Sequence, residues 1–325
     1  MTFLRRAWPV VLGLSLVPFG GWAAVRLLGA EQGAPWMQLM SFTPYVAGAS
    51  LVPLAAALVS RRWRHAGAAA VLAAVLASLV VPRAMADDAG LRRPGPTVRV
   101  VTANLLLGGA DPVTLVGIVR DHRADVLAVQ ELTPAGAAAL DDAGLGTLLP
   151  YRAAYPAPGS QGSALYSRYP LKNIGVRQMP AQHLQAYGTL LVPGARPVLV
   201  ESAHPCAPSD PGSTDQWARE IALQPRATPS GPARILLGDF NSTLDHEGLR
   251  RLVGSGYTDA ASAVGAGLRP TWSATDLGRL GHLLPPVTID HVLVDRRIGV
   301  RTVAVHPLPR SDHRAVYADL VLPPA

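Results

Sequence analysis

The apolar run Arg234-Ile235-Leu236-Leu237 stops on Gly238-Asp239-Phe240-Asn241, which puts a carboxylate and an amide where a buried strand would reach the rim of its sheet. Other segments end in the same way. Val100-Val101-Thr102-Ala103 runs into Asn104, Val126-Leu127-Ala128-Val129 into Gln130-Glu131, and Val198-Leu199-Val200 into a turn at His204. Thr288-Ile289-Asp290-His291 lies in a strand, and Ser311-Asp312-His313 directly precedes one. Singly, each has a structural explanation: Asn104 and Asp239 as turn formers, Glu131 as a charge at a helix N-terminus, Asp312 as a cap. Six such sites in one domain, all at strand termini, describe instead one polar rim. Its carboxylates, amides and imidazoles can accept and donate hydrogen bonds, hold cations and carry protons.

The motifs Thr102-Ala103-Asn104-Leu105, Val129-Gln130-Glu131, Leu165-Tyr166-Ser167-Arg168-Tyr169-Pro170-Leu171, His204 with Pro208, Gly238-Asp239-Phe240-Asn241, Ile289-Asp290-His291-Val292 and Ser311-Asp312-His313 follow one another in a specific order. In order and spacing the set resembles the endonuclease/exonuclease/phosphatase superfamily. The resemblance implies a four-layered α/β sandwich that cuts phosphoester bonds with a divalent metal, usually Mg²⁺, with Mn²⁺ as a substitute. It also implies roles. Glu131 would be the principal metal ligand, supported by Asn104 and Asp312, because Mg²⁺ favours one or two carboxylates and keeps several waters. Asp239 would position and deprotonate the attacking water, while Asn241 and Asn104 would meet phosphate oxygens without repelling them. His313 would be the catalytic histidine, with Asp290 orienting it and favouring the imidazolium. His204 would be a second phosphate-facing group, either clamp or general acid, and Arg168 either a structural or a substrate-binding residue.

Other polar residues have weaker cases. His291 follows Asp290 on a strand and so points to the opposite face, a structural position. Cys206, the one cysteine, lacks the base and orienting group that a thiol nucleophile needs, and it rules out an intrachain disulfide. His122, His183, His246, His282 and His306 show no ligand spacing. Gly108-Gly109 reads as a turn, and Trp272 either lines the cleft or packs beneath it.

The elements that must position these groups read as strands at 97–103, 124–129, 162–168, 172–178, 187–193, 197–203, 233–239, 287–294, 299–305 and 314–321. Helices are expected at 111–122, 213–223 and 245–253. Many short strands with a few helices describe an α+β sandwich rather than an alternating parallel sheet. No internal repeat is present.

Ahead of this domain the chain is of another kind. Mean hydropathy is +0.22 overall, and the apolar excess lies in the first 82 residues. Residues 9–29, 38–59 and 66–82 are apolar enough for three crossings, the last at the short end of what a bilayer needs. Arg5, Arg6 and Arg61-Arg62-Trp63-Arg64 place the amino terminus and the second loop in the cytoplasm and everything after the third crossing outside. Residues 83–96 read as a linker and 97–325 as the catalytic domain. Of 29 basic and 22 acidic residues, 23 and 21 follow residue 82, too even a balance for a general nucleic-acid binder.

Three spans before this domain, with Phe42-Thr43-Pro44-Tyr45 in the second, resemble the VanJ-like membrane proteins of actinobacteria associated with teicoplanin resistance. That resemblance implies work near cell-wall precursors, on a lipid-linked phosphate or pyrophosphate such as undecaprenyl pyrophosphate. Membrane lipids would be its surroundings, and no protein partner is expected. The alternative is a tethered extracytoplasmic nuclease, with nucleic acid as partner.

Overall fold

The computed structural model describes residues 2–87, 94–274, 281 and 283–325. Its amino-terminal part is helical: α1 (Thr2–Leu28), then α2 (Trp36–Leu39), α3 (Thr43–Ala49) and α4 (Leu51–Val59), then α5 (Trp63–Val80) with a 3-10 turn at Val81–Ala84. Three helices, Ala7–Leu28, Trp36–Val59 and Trp63–Ala84, are long and apolar enough to cross a membrane at 22, 24 and 22 residues. The third is longer than its uncharged core, because Trp63 to His65 and Arg83 join the helical rod. Ala57, Ala66, Ala69 and Ala73 are buried where these helices meet. Such small side chains let backbones approach closely, while Val10, Leu14, Val17, Leu51 and Val59 stay exposed as a lipid-facing surface.

The remainder is a sandwich of two six-stranded mixed sheets. The first contains β1 (Thr97–Asn104), β2 (Val126–Gln130), β3 (Tyr151–Tyr155), β4 (Ser163–Ser167), β11 (Gly299–Pro307) and β12 (Arg314–Val321), in the order β11-β12-β1-β2-β4-β3. The second contains β5 (Leu171–Gln178), β6 (Leu184–Leu190), β7 (Val198–Ala203), β8 (Arg234–Asp239), β9 (Tyr257–Asp259) and β10 (Asp290–Asp295), in the order β5-β6-β7-β8-β10-β9. In each sheet one central pair is parallel, β1 with β2 and β7 with β8, and the other pairs are antiparallel.

Alternation along the strands decides what faces where. Ile235 and Leu237 enter the core between the sheets while Leu236 packs outward, so Asp239 continues the inner row. Val292 and Val294 are likewise inner, which turns Asp290 inward and His291 outward. Helices α6 (Pro112–Asp121), α7 (Pro134–Asp142) and α8 (Leu145–Leu148) lie with the outer core of the first sheet, and α9 (Ser213–Ala222) and α10 (Glu247–Gly254) with that of the second. The Asp111 and Thr133 side chains cap α6 and α7, each with Pro in the first turn.

Five short elements of the sandwich were not foreseen: α7, whose Ala-rich run has no apolar period, α8, β3, β9, and α11 (Ala260–Ala263). The stretch expected to be a linker is packed at both ends. Ala86 bridges Val264, the Asp87 amide donates to the Ala263 carbonyl at 2.8 Å, and the Pro96 carbonyl accepts from Leu322 at 2.8 Å. Asp88, Gly90 and His282 lie outside the described residues.

The three amino-terminal helices are joined to the sandwich by a buried ion cluster. Asp245, fully buried, meets Arg26 at 3.0 Å and Arg83 at 2.5 Å, and both arginines also donate to the Leu244 carbonyl. His246 accepts from the Thr243 amide at Nδ1 and donates from Nε2 to the Met37 carbonyl at 2.7 Å. Gln38 donates to the Pro208 carbonyl and Tyr45 to that of Pro286, each at 2.6 Å. Arg83 is therefore an anchor point and not a free charge at the head of a linker.

Candidate active site

Asn104, Glu131, His204, Asp239 and Asn241 come from the carboxyl ends of β1, β2, β7 and β8, and Asp290 and His313 from the starts of β10 and β12. All stand at one end of the sandwich. The close approach of β7 and β8 is possible because residue 238 is glycine: a Cβ there would lie 2.0 Å from the Ala203 carbonyl oxygen. Glu131 and Asn241 both have left-handed backbones, with φ of 57° and 47°. Strain of this kind persists only where the surroundings hold it.

The Asn104 amide binds both acids that flank it, donating to Glu131 at 3.1 Å and Asp239 at 3.0 Å. The second oxygen of Glu131 accepts from the Leu107 amide at 2.7 Å, and that of Asp239 from the Asn241 amide at 2.8 Å. His313 gives Nδ1 to Asp290 at 2.9 Å and turns Nε2 toward Asp239, 3.6 Å away. Burial would lower the His313 pKa, but the carboxylates of Asp290 and Asp239 outweigh it and hold the imidazole up at about 10. Burial, with the Asp290 charge adding and His313 opposing, pushes the Asp239 carboxyl up to about 7. At neutral pH the site thus holds a charged imidazole beside a carboxyl poised to exchange a proton.

His204 is buried, with Nε2 3.8 Å from Asp239 and 3.9 Å from Glu131. Burial, with His183 and His313 adding, pushes its pKa well below the ordinary value. A neutral ring suits a hydrogen-bonding clamp better than a proton donor. His183, whose sequence position carried no signal, stacks on it with ring centres 4.4 Å apart and accepts or donates through Nε2 to Ser160 at 3.1 Å. Buried Glu220 ties the two histidine loops together by accepting from the Ala181 and Cys206 amides. Cys206 itself is buried and its thiol is pushed up to about 12.

Asp312 accepts from the Trp272 indole at 2.7 Å, so Trp272 supports the rim, and Oδ1 of Asp312 is buried without a hydrogen bond among the described residues, with His313 Nε2 at 3.8 Å. Asn241 donates its side-chain amide to the Pro205 carbonyl at 3.1 Å. His291 lies behind the site as expected, between Asp259 and the Ser242 carbonyl, each at 2.9 Å. Arg168 is a correction. It pairs with Asp125 at 3.2 Å, at the end of β4 opposite Val126, whereas the site lies at the Gln130 end. Four residues of strand separate the two, roughly 13 Å, so Arg168 stands apart from this rim.

Asp239, Asp290 and His313 offer ligand atoms within 4.8 Å of one another. Because His313 Nδ1 is already engaged by Asp290, that trio is better described as an imidazole between two carboxylates. The oxygens of Glu131 and Asp239, which share the Asn104 amide, are hard donors of the kind a divalent cation such as Mg²⁺ takes, and Asp312 adds a carboxylate oxygen without a hydrogen bond at the same rim.

Two mixed sheets with an acidic rim and a His–Asp pair at one end define the class of sandwich phosphoesterases. The chain belongs to the Endonuclease/Exonuclease/phosphatase family, whose model matches residues 101–313. It is similar in fold to a humanized TDP2 from D. rerio, at 14% identity and TM-score 0.56, over 69% of this chain and 98% of that one. An endonuclease/exonuclease/phosphatase from Beutenbergia cavernae aligns at 19% identity and TM-score 0.53, covering 70% and 72%. The 3' phosphatase NExo from Neisseria, bound to product DNA hairpin, aligns at 21% identity and TM-score 0.51, covering 68% and 98%. No curated protein matches the sequence. The chain is thus a hydrolase of phosphoester bonds carrying three helices able to anchor it in a membrane.

Proposed function

We propose that this enzyme hydrolyses a lipid-linked phosphate or pyrophosphate at the outer face of the cytoplasmic membrane, with undecaprenyl pyrophosphate the specific candidate. One observation carries the reading: the strand-end loops that build the site also hold the membrane helices. Asp245 and His246 follow Asp239 on one loop, Pro208 follows His204, and Pro286 precedes Asp290, and each of these loops bonds to a helix end. The site therefore sits at the membrane side of the sandwich. Arg61, Arg62 and Arg64 lie at the turn between α4 and α5, the far end of the bundle, in keeping with a cytoplasmic position for that turn. The membrane architecture also supports the VanJ-like relationship and a part in glycopeptide resistance.

Bound at Glu131 with help from Asn104 and Asp312, Mg²⁺ would supply charge neutralisation on the non-bridging phosphate oxygens. The protein's own groups do the rest. Asp239 accepts a proton from the attacking water, and the His313 imidazolium, held by Asp290, stabilises the charge that develops on phosphate. Neutral His204 and the remaining amide hydrogen of Asn241 hold phosphate oxygens in place.

A nuclease is the second reading, favoured by the DNA-bound phosphatase among its structural relatives. Purified full-length protein with Mg²⁺ separates the two. Release of inorganic phosphate from a polyprenyl pyrophosphate is expected; plasmid nicking without that release would show a nuclease.

A further inference from the structure

Between α11 and β10, the described residues 264–274 and 283–289 leave large apolar side chains exposed. Leu268 is exposed next to exposed Arg269, Leu283 is 77% exposed, and Leu284 is exposed beside Pro285 and Pro286. These residues are fixed against the membrane helices. The Gly267 amide donates to the Arg83 carbonyl at 3.0 Å, and the Tyr45 hydroxyl to the Pro286 carbonyl at 2.6 Å. Leu268 and Pro286 share with Ser41, Pro44 and Tyr45 the lining of one cavity of about 180 Å³ at this junction.

Depth follows from the helices. Thr43–Val59 and Trp63–Val80 run side by side, and rods of that length measure about 25 Å at 1.5 Å per residue, close to the thickness of a hydrocarbon core. Met37 lies in the sandwich core and Gln38 bonds to Pro208, so the part of the Trp36–Val59 rod clear of the sandwich starts at Thr43; Tyr45 is its third residue, at the level where tyrosines sit between acyl chains and headgroups. The chain hydrogen-bonded to it is therefore at interface depth, and Leu283 and Leu284 follow at two or three residues' distance. Arg269 has no ion-pair partner among the described residues, so its guanidinium is free to meet lipid phosphates.

We propose that Leu268, Arg269, Leu283 and Leu284 form a membrane-interfacial surface, seated in the bilayer leaflet on the catalytic domain's side. Its leucines enter the acyl boundary and Arg269 binds headgroup phosphate. This surface is joined to the site along the chain. Trp272, three residues beyond Arg269, bridges Val287 and His313 and holds Asp312. A phosphate would then enter from the headgroup plane and not from bulk water, a consequence that rests on the lipid-phosphate reading above.

The test is spin-label depth in the full-length protein, reconstituted in vesicles of phosphatidylethanolamine and phosphatidylglycerol. Leu283→Cys and Leu284→Cys are labelled separately, with Val113→Cys on α6 as the water-exposed reference; buried Cys206 resists labelling. Labels at 283 and 284 should collide with oxygen in preference to a water-soluble nickel chelate, several-fold more than the label at 113. Collision ratios equal to that of the 113 label at both positions would overturn the proposal. The measurement uses no substrate, so it fails or stands independently of phosphate release.

Discussion

Asp239 and His313 face each other across 3.6 Å and have opposite tasks in the proposed mechanism. Asp239→Asn keeps the shape and removes the proton acceptor, so turnover should fall by about 10²-fold or more while thermal unfolding stays close to that of the parent; near-normal turnover would show that Asp239 is not the base. The pH profile follows from the neighbouring pair. Since His313 is held up at about 10 chiefly by Asp290, activity that needs the imidazolium should persist through neutral pH and decline as pH rises through that value. Asp290→Asn removes the supporting carboxylate, and the alkaline limb should move to lower pH along with a drop in rate; an unmoved limb would detach His313 from it. Most of these residues were legible because apolar strands stop on them. His183 was not, since it lies in the β5–β6 hairpin and meets His204 only through tertiary packing. Arg168 stayed open between two roles because its motif marks a strand end, and the strand has two.

At the scale of elements, the central strands and the alternation that separates Asp290 from His291 were readable from period-two patterns. What escaped were elements without a period: the Ala-rich α7, the edge strand β3 and the three-residue β9. The β7–β8 contact gives the sharpest prediction here. Gly238→Ala would drive a methyl group into the Ala203 carbonyl, an overpacking expected to destabilise by about 1–3 kcal/mol. Because β8 carries Asp239 and β7 leads to His204, activity at permissive temperature should fall too. Denaturant unfolding and turnover, measured together, check it; a neutral result would mean that the strands have room to separate.

Over the whole molecule, three apolar helices and a catalytic domain could be read from hydropathy and from the motif set, but their junction could not. Asp245 meets Arg26 and Arg83, which lie 219 and 162 positions away in sequence. No local pattern encodes such a cluster. Asp245→Ala would leave two buried guanidinium groups without their acid, a loss of about 3–5 kcal/mol, seen as lower thermal stability in detergent and a looser attachment of the sandwich to the helices. An unchanged melting temperature would show the junction to be incidental. The same junction turns the active rim toward the three apolar helices, and the proposed choice of substrate depends on that orientation. The decisive measurement is phosphate release by full-length protein and Mg²⁺ from a polyprenyl pyrophosphate in vesicles, with Asp239→Asn alongside and supercoiled plasmid as the competing substrate. Phosphate release lost in the variant, with the plasmid left intact, is the expected result; cleaved plasmid with no phosphate released from the lipid would contradict it.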